Sequence, residues 1–281
     1  MMIDGVVLAL ALLAPQTQAL PEQLVITAVV TDKKGKPVVD LRQDEVVVRE
    51  GTTDQPVIKL EHDVRPLHVA LVLDTSQNLG TTYLSDVVPA ALQFLKKLPE
   101  GSSFAVWGTS DRPRLLVPEG TDLKATEDKL RTTATTGNNA AVDTIVAASQ
   151  EVAKGEGHRS AVVLVTSATM GDARADVQAL LPQASLKPTY IAVEFVQGGG
   201  QGDSRLEDSI KILVTRTAGV HERVFSAMAV DSQLQKALGL LEAQYRLSWK
   251  PSIDPRQTKI EVRVSRKDTK VVQGQRLSPA W

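Results

Sequence analysis

The sequence predicts an α/β fold: a doubly wound, mostly parallel sheet with helices on both faces, inserted in a small β-sandwich made from both chain ends. Three observations lead to it. Leu67–Leu73 is an apolar run of strand length, typical of a strand buried on both faces. A polar loop (74–78) and a helical pattern (83–98) follow it directly. Strand and helix patterns then alternate along the middle of the chain, while both ends carry only β patterns.

The middle of the chain, residues 64–243, is expected to form the α/β domain. A hairpin at 103–109 and 114–117 predicts an antiparallel edge to the sheet, and the Gly-rich run 198–202 predicts a loop. The remaining strands are predicted at 161–166, 189–195 and 223–225. The remaining helices are predicted at 140–152, 173–181, 204–216 and 231–243, with Asp231 or Ser232 capping the last.

Both ends of the mature chain predict β-structure. Strand patterns lie at 24–31, 45–49 and 57–60 in the N-terminal segment (20–63), and at 245–250, 259–265 and 270–273 in the C-terminal segment (244–281). Neither segment is large enough to fold alone, so we expect the two to pair into one sandwich. The alternative is two separate extensions that pack independently on the α/β domain.

Residues 1–19 have the pattern of a signal peptide. An apolar run at 6–14 precedes Pro15 and a small-residue cleavage site after Ala19. The run is too short to span a bilayer as a helix. Asp4, with no Lys or Arg in the first five residues, argues against export. Because the run precedes everything that resembles a domain, we expect an exported protein, periplasmic or secreted.

Composition excludes several classes of function. The net charge of −1 gives no broad attraction to nucleic acid or to an anionic membrane. The absence of cysteine excludes disulfides, thiolate metal sites and cysteine nucleophiles. At 281 residues the chain is long enough to bury a sizeable core, which must be mostly aliphatic because aromatic residues make up only 4%.

The loop after the first central strand is the candidate site. In open α/β sheets, ligands bind at the carboxyl ends of the strands where the winding direction reverses. Oxygen-bearing side chains stand there at alternate positions, and later loops contribute others. The candidate metal ligands are Asp74, Ser76, Asn78, Asn139 and Ser167. Carboxylate, hydroxyl and amide oxygens are the ligands of hard cations such as Mg²⁺.

Residues 74–78 resemble the Asp-x-Ser-x-Ser motif of von Willebrand factor type A domains, which opens their metal-ion-dependent adhesion site. This sequence departs from that pattern at three positions. Asn78 replaces the second serine, Asn139 stands where a threonine is expected, and Ser167 stands where the family has its second aspartate. The resemblance therefore implies a protein-interaction module with a degenerate metal site.

The resemblance extends to the flanks of this domain. The run from 25 to 60 and the run from 241 to 264 are similar to the flanking segments of the von Willebrand A-related proteins common in Acidobacteria. The turn at 33–37 and the segment 244–249 carry that similarity.

Two interpretations of the site remain open at this point. A lone carboxylate is a poor host for Mg²⁺, so Asp74 and Ser76 are expected to satisfy loop backbone groups, leaving no cofactor or only weakly bound Mg²⁺. Alternatively, a partner's carboxylate completes a Mg²⁺ site, as in the intact family site. Asp172 lies close enough along the chain to be considered as a further ligand.

No catalytic motif is predicted. His221 has no second histidine four residues later, there is no Gly-x-Ser-x-Gly elbow, and His68 is expected to be a hydrogen-bonded core residue. We therefore expect a non-catalytic module that contacts an unidentified protein through residues 74–78, 137–139 and 167–171. An enzyme of unrecognised type on the same fold is the remaining alternative.

Overall fold

The computed structural model describes residues 20–154, 157–169, 188–196, 203–255, 257–274 and 278–279. The signal-peptide prediction (1–19), the predicted helix at 173–181, Asp172 and the loop at 198–202 lie outside these residues. In the described part of the chain, no helix is long and apolar enough to cross a bilayer.

The described elements alternate as expected for an α/β chain with β-rich ends. The strands are β1 (Leu24–Asp32), β2 (Val46–Glu50), β3 (Thr53–His62), β4 (Leu67–Leu73), β5 (Ser103–Gly108), β6 (Arg114–Gly120), β7 (Arg159–Ser167), β8 (Thr189–Phe195), β9 (Val220–Val224), β10 (Gln244–Trp249), β11 (Ile260–Val264), β12 (Thr269–Gln273) and β13 (Ser278–Pro279). The α-helices are α1 (Val88–Lys96), α2 (Leu123–Arg131), α3 (Ala141–Val152), α4 (Ser204–Arg216) and α5 (Ala229–Glu242). Short 3-10 and π-helical turns lie at Gln43–Glu45 and Tyr83–Val87.

Six strands form the central sheet in the order β6-β5-β4-β7-β8-β9. All neighbours in it are parallel except β5 and β6, which form the predicted antiparallel edge. From β4 the chain first moves outward to β5 and later returns to place β7 on the other side of β4. The strand order therefore reverses beside β4, where open α/β sheets bind their ligands.

Helices cover both faces of this sheet because successive residues of a buried strand point to opposite sides. Val69 and Leu71 of β4 share a core with α1 and α5. Ala70 and Val72 share a second core with α3 and α4. Both sets are fully buried, which explains the unbroken apolar run of β4 in the sequence.

The two chain ends are paired in one antiparallel sheet, in the order β11-β2-β3-β10-β1-β12, with β13 on β1. The side-chain amide of Gln273 joins the two outer strands: its Nε2 donates to Ile260 O (2.9 Å), and its Oε1 accepts from Val262 N (2.5 Å). The prediction of a sandwich is therefore corrected. One long sheet curls until its edges meet, as in a barrel, and Trp249 and Ile26 fill its interior.

The chain crosses between barrel and α/β domain twice, and the crossings lie side by side. Asp63 N donates to Gln244 O (2.8 Å). The buried guanidinium of Arg159 donates to Arg65 O (2.8 Å) and to Leu241 O, so it ties the start of β7 to both crossings. We call Asp63, Arg65, Arg159 and Gln244 the junction.

Several element boundaries differ from the prediction for physical reasons. β9 begins at Val220 rather than at 223, because the side chains of His221 and Arg223 pair with the buried Glu194 of the neighbouring strand β8. α5 begins at Ala229. A hydrogen bond from Val230 N to Ala227 O closes the turn that leads into the helix, and the Val230 side chain is buried in the core. α2 was not predicted, although Asp122 caps it by accepting from Ala125 N (2.9 Å).

Candidate functional site at the carboxyl edge of the parallel sheet

The candidate site begins where β4 ends. Asp74 N donates to Val165 O of β7 (2.8 Å), and Thr109 N, just after β5, donates to Leu73 O (3.1 Å). These bonds extend the sheet by one residue on both sides of β4. Asp74 is thereby held between two neighbouring strands, with no exposed surface.

The carboxylate of Asp74 accepts five hydrogen bonds from the protein. Oδ1 accepts from Ser76 N (2.9 Å) and from Thr109 Oγ1 (3.4 Å). Oδ2 accepts from Asn139 Nδ2 (3.0 Å), Ser167 N (2.8 Å) and Ser167 Oγ (2.5 Å). A carboxylate offers about four lone-pair positions, so these donors use its full accepting capacity.

Asn139 places a nitrogen in a position surrounded by oxygens. Besides Asp74 Oδ2, its Nδ2 lies 2.8 Å from Thr166 Oγ1, 2.8 Å from Thr169 O and 3.4 Å from Ser167 Oγ. Its Oδ1 is buried and has no hydrogen-bond partner among the described residues. The amide therefore acts as a donor to a cluster of acceptors that would otherwise suit a cation.

The loop 74–78 is tied to the loop before α3 by its backbone. Gln77 N donates to Gly137 O (3.1 Å), and Thr136 N donates to Thr75 O (2.9 Å). Within the first loop, Ser76 Oγ accepts from Asn78 N (3.3 Å). The Ser76 bond is the capping role that short polar side chains play in turns.

Gly137 fixes the geometry of the second loop. Its φ of +70° lies in the left-handed region, and a Cβ there would stand 2.3–2.5 Å from the Asp111 carboxylate. Asp111 Oδ1 in turn accepts from Asn138 N (2.8 Å). Only glycine fits between this carboxylate and the loop, and the resulting turn delivers Asn139 to Asp74.

The structure brings three of the five sequence candidates into contact: Asp74, Asn139 and Ser167. Ser76 is buried beside them but reaches Asp74 through its backbone N–H. Asn78 is exposed at the rim of the loop.

Sequence reasoning missed three contributors, Thr109, Thr166 and Thr169. The first two follow the rule that found Asp74, since each lies at the carboxyl end of a buried strand.

A second buried carboxylate, Glu194 of β8, was also missed. It lies opposite Thr166 in the strand register and is fully buried. Its Oε2 accepts from His221 Nε2 (2.8 Å) and forms an ion pair with Arg223 Nε (3.0 Å), so its charge is balanced by β9. Its Oε1 has no partner among the described residues. Glu194 is bonded to β9 rather than to Asp74, so it does not restore a second carboxylate to the cluster.

The residues present do not fit a divalent cation in this arrangement. Mg²⁺ and Ca²⁺ need several oxygen ligands with compensating charge. The cluster offers one carboxylate whose oxygens already accept hydrogen bonds. Across the described ranges, no group of three or more His, Cys, Asp or Glu side chains is arranged to hold a metal.

Comparison with known proteins identifies the domain around this site. Residues 69–169 match the family model for the von Willebrand factor type A domain. A solved structure described as von Willebrand factor type A, from Catenulispora acidiphila, is 9% identical, with 95% of this chain and 76% of that chain covered and a TM-score of 0.55.

Proximal thread matrix protein 1 from the mussel byssus is 15% identical, with a TM-score of 0.52. That alignment covers 69% of this chain and 51% of the mussel chain, so this chain spans about half the length of that protein. A second structure of the mussel protein, with a TM-score of 0.51, is described as having a zinc-occupied MIDAS motif. No curated protein matches the chain.

Proposed function

The chain contains a von Willebrand factor type A domain, and from this premise we propose that it is an exported, non-catalytic protein-interaction module whose degenerate adhesion site works without a bound cation. The contact face is built from residues 74–78, 137–139 and 167–171. Of these, 170–171 lie outside the described residues. The family and the position of this face beside the reversal of strand order support the proposal.

One observation carries the cation-free part of the proposal. The buried Asp74 carboxylate accepts all five of its hydrogen bonds from protein donors, and the Asn139 amide is one of them. A cation entering this cluster would have to displace Asn139 Nδ2 and the Ser167 hydroxyl. It would gain one carboxylate in exchange, which is little compensation for losing its water shell.

The exposed rim indicates what kind of partner fits. Gln77, Asn78 and Asn138 are exposed and uncharged, while the Asp74 carboxylate lies beneath them and is inaccessible. Of the described residues in 74–78, 137–139 and 167–169, none carries a positive charge that would attract an acidic side chain. The partner is therefore a protein surface recognised through side-chain amide and backbone hydrogen bonds.

The cation-free site is tested by titrating the protein with MgCl₂ in a calorimeter and comparing it with a variant that restores the family pattern. That variant combines Asn78→Ser, Asn139→Thr and Ser167→Asp. We expect no saturable Mg²⁺ binding by the wild type and measurable binding by the restored variant. Tight binding by the free wild-type protein contradicts the proposal.

The interaction face is tested by site-specific photocrosslinking in the producing organism. A photoreactive residue replaces Gln77 on the face, or Lys34 in an exposed turn of the barrel as the control. A protein crosslinked from position 77 and absent from position 34 supports the proposed face. Identical products from both positions contradict it.

A second candidate function is a Mg²⁺-dependent binder completed by the partner's carboxylate. The observation that favours it is Asn139 Oδ1, a buried acceptor without a partner among the described residues. Rotation of this amide would turn an oxygen toward Asp74 and suit a cation. If crosslinking from position 77 requires Mg²⁺ and stops on chelation, this second function replaces the first.

Export and the segment boundaries complete the proposal. Residues 1–19 act as a signal peptide, and 20–63 and 244–281 together carry the inserted α/β domain, 64–243. N-terminal sequencing of the protein from culture medium or periplasm is expected to begin at Leu20. A cell-retained product that begins at Met1 contradicts export.

A further inference from the structure

Two imidazoles meet at the amino end of the parallel sheet, away from the site described above. His68 is the second residue of β4 and is 3% exposed. His158 immediately precedes β7 and is partly exposed. His68 Nδ1 and His158 Nε2 lie 3.3 Å apart, with ring centroids 4.9 Å apart and ring planes at 79°.

We propose that His68 Nδ1 and His158 Nε2 are two ligands of a binding site for a divalent transition-metal ion such as Zn²⁺. Imidazole nitrogens bind zinc at about 2.0–2.1 Å, so two of them on a tetrahedral ion lie about 3.3–3.4 Å apart. The observed separation matches that spacing. In the structure the two nitrogens lie within hydrogen-bonding distance of each other, so zinc binding would replace the shared proton and tilt each ring off the line that joins the nitrogens.

The other nitrogen of His68 has the surroundings expected of a metal ligand. Histidines that bind metals usually present their second ring N–H to a carboxylate, which fixes the ring. Here Glu119 Oε1 lies 3.5 Å from His68 Nε2 and accepts a hydrogen bond from Ser103 Oγ (2.9 Å). His68 Nε2 has no hydrogen-bond partner within the described residues, and Glu119 is the carboxylate placed to orient this ring when the pair holds a metal.

The site is open to solvent on one side. As noted above, the described residues hold no three-ligand cluster, so the protein supplies two ligands. The remaining positions are filled by water or by an incoming group, reached past the partly exposed His158.

This inference is independent of the proposed function. His68 stands near the amino end of β4, and Asp74 follows its carboxyl end. Six residues of extended strand separate them, about 20 Å. Hydroxyl and amide oxygens surround Asp74, whereas nitrogens converge here, so the two sites select different classes of ion.

The test is a Zn²⁺ titration of the full chain in competition with a chromophoric chelator. We expect one equivalent to bind to the wild type. His158→Ala is expected to weaken binding at least about 10-fold and Glu119→Gln about 10-fold, the usual effect of losing a ligand's orienting partner. His62→Ala, which alters a histidine hydrogen-bonded to Glu242 O near the junction, is the matched control and should bind like the wild type.

Circular dichroism of each variant confirms that it is folded before the titration is interpreted. The proposal is overturned if the wild type binds no Zn²⁺, or if His158→Ala binds as tightly as His62→Ala. It is also overturned if binding is lost in a folded Asp74→Asn variant and kept in His158→Ala. A Cu²⁺ spectrum with two coupled nitrogens in the wild type and one in His158→Ala would support the assignment of both ligands.

Discussion

Asn139 shows how a single side chain can determine whether the loop at the end of a strand offers donors or acceptors. An amide carries two donor hydrogens and reaches further than a hydroxyl. From one position it bonds to Asp74 Oδ2 and lies within 2.8 Å of Thr166 Oγ1 and Thr169 O. Hydrogen bonds from protein donors, the Asn139 amide among them, thereby stabilise the negative charge of Asp74.

Replacing Asn139 with aspartate tests this account of the residue. The variant places a second carboxylate against Asp74, and an uncompensated buried charge typically costs about 3–5 kcal/mol. We expect the free energy of unfolding, measured by denaturant titration in chelator, to fall by about that amount. Millimolar Mg²⁺ or Ca²⁺ should recover part of the loss, because the paired carboxylates now suit a cation.

Asn138→Asp is the control for that experiment, since Asn138 is the exposed neighbour in the same loop. It should change stability little and show no recovery with cation. An Asn139→Asp variant as stable as Asn138→Asp in chelator would show that the amide does not stabilise Asp74.

Gly137 offers a second test at the residue scale. Gly137→Ala adds left-handed strain and a clash with the Asp111 carboxylate, so we expect a loss of about 2 kcal/mol or more. Gly35→Ala has the same kind of strain at φ +78° but open space around its Cβ, and should lose only about 1 kcal/mol. Equal losses, measured by thermal unfolding, would mean that the Asp111 contact adds nothing.

Among the elements, the strands with a long apolar run were predictable, whereas a short strand made mostly of polar residues was not. β4 and β7 were found from their apolar runs, although both also contain buried polar residues. The start of β9 was missed because nothing local to His221 indicates that the buried Glu194 of β8 holds it. A polar residue that is satisfied by a distant partner leaves no local signal of burial.

The candidate site was also predictable only in part. The ends of buried strands and the loop before α3 identified Asp74, Asn139 and Ser167 as neighbours. Which atoms donate and which accept depends on side-chain positions fixed by tertiary packing. The sequence alone therefore left both the metal-bound and the hydrogen-bonded interpretations open, and the Asn139 amide favours the second.

The junction contributes to the pH dependence of stability through Asp63. Burial by itself would raise the pKa of Asp63, but the hydrogen bonds and charge of Arg65, together with Arg159, outweigh it and hold that pKa below its usual value. A lowered folded-state pKa stabilises the fold above the unfolded-state pKa, about 3.9 for Asp. That contribution is lost as the pH falls from there through the folded-state value.

Asp63→Asn should therefore lower the free energy of unfolding at neutral pH by about 1–3 kcal/mol, the range for a buried charged hydrogen bond. It should also flatten the acid dependence below about pH 4. Urea titrations across that range give the measurement. Asp128→Asn, in an exposed ion pair with Lys124, is the control and should show neither effect. An unchanged acid slope in Asp63→Asn would exclude Asp63 as its source.

At the scale of the whole molecule, the chain ends depend on each other. The α/β domain interrupts a single sheet, in which β10 lies between β1 and β3. The expectation of a sandwich failed because strand patterns predict strands but not how a sheet closes. Closure of the sheet depends on Gln273. Its side-chain amide bonds to the backbone of β11, in place of the backbone hydrogen bonds that would pair β11 with β12.

Truncation after Ala243 tests this dependence. It removes β10 to β13, so β1 and β3 lose their shared neighbour β10. We expect fast hydrogen exchange throughout residues 24–62 in the truncated protein, while the amides of β4 and β7 stay protected. Protection of β1 equal to that in the full chain would show that the N-terminal strands fold without the C-terminal ones.

The central claim, that protein donors rather than a cation stabilise Asp74, is tested most directly by a crystal grown in millimolar Mn²⁺ without a partner. The account predicts no anomalous peak beside Asp74 and the Asn139 Nδ2 atom within hydrogen-bonding distance of Asp74 Oδ2. A six-coordinate ion bonded to Asp74, with Asn139 turned away or ligating through its oxygen, would contradict it.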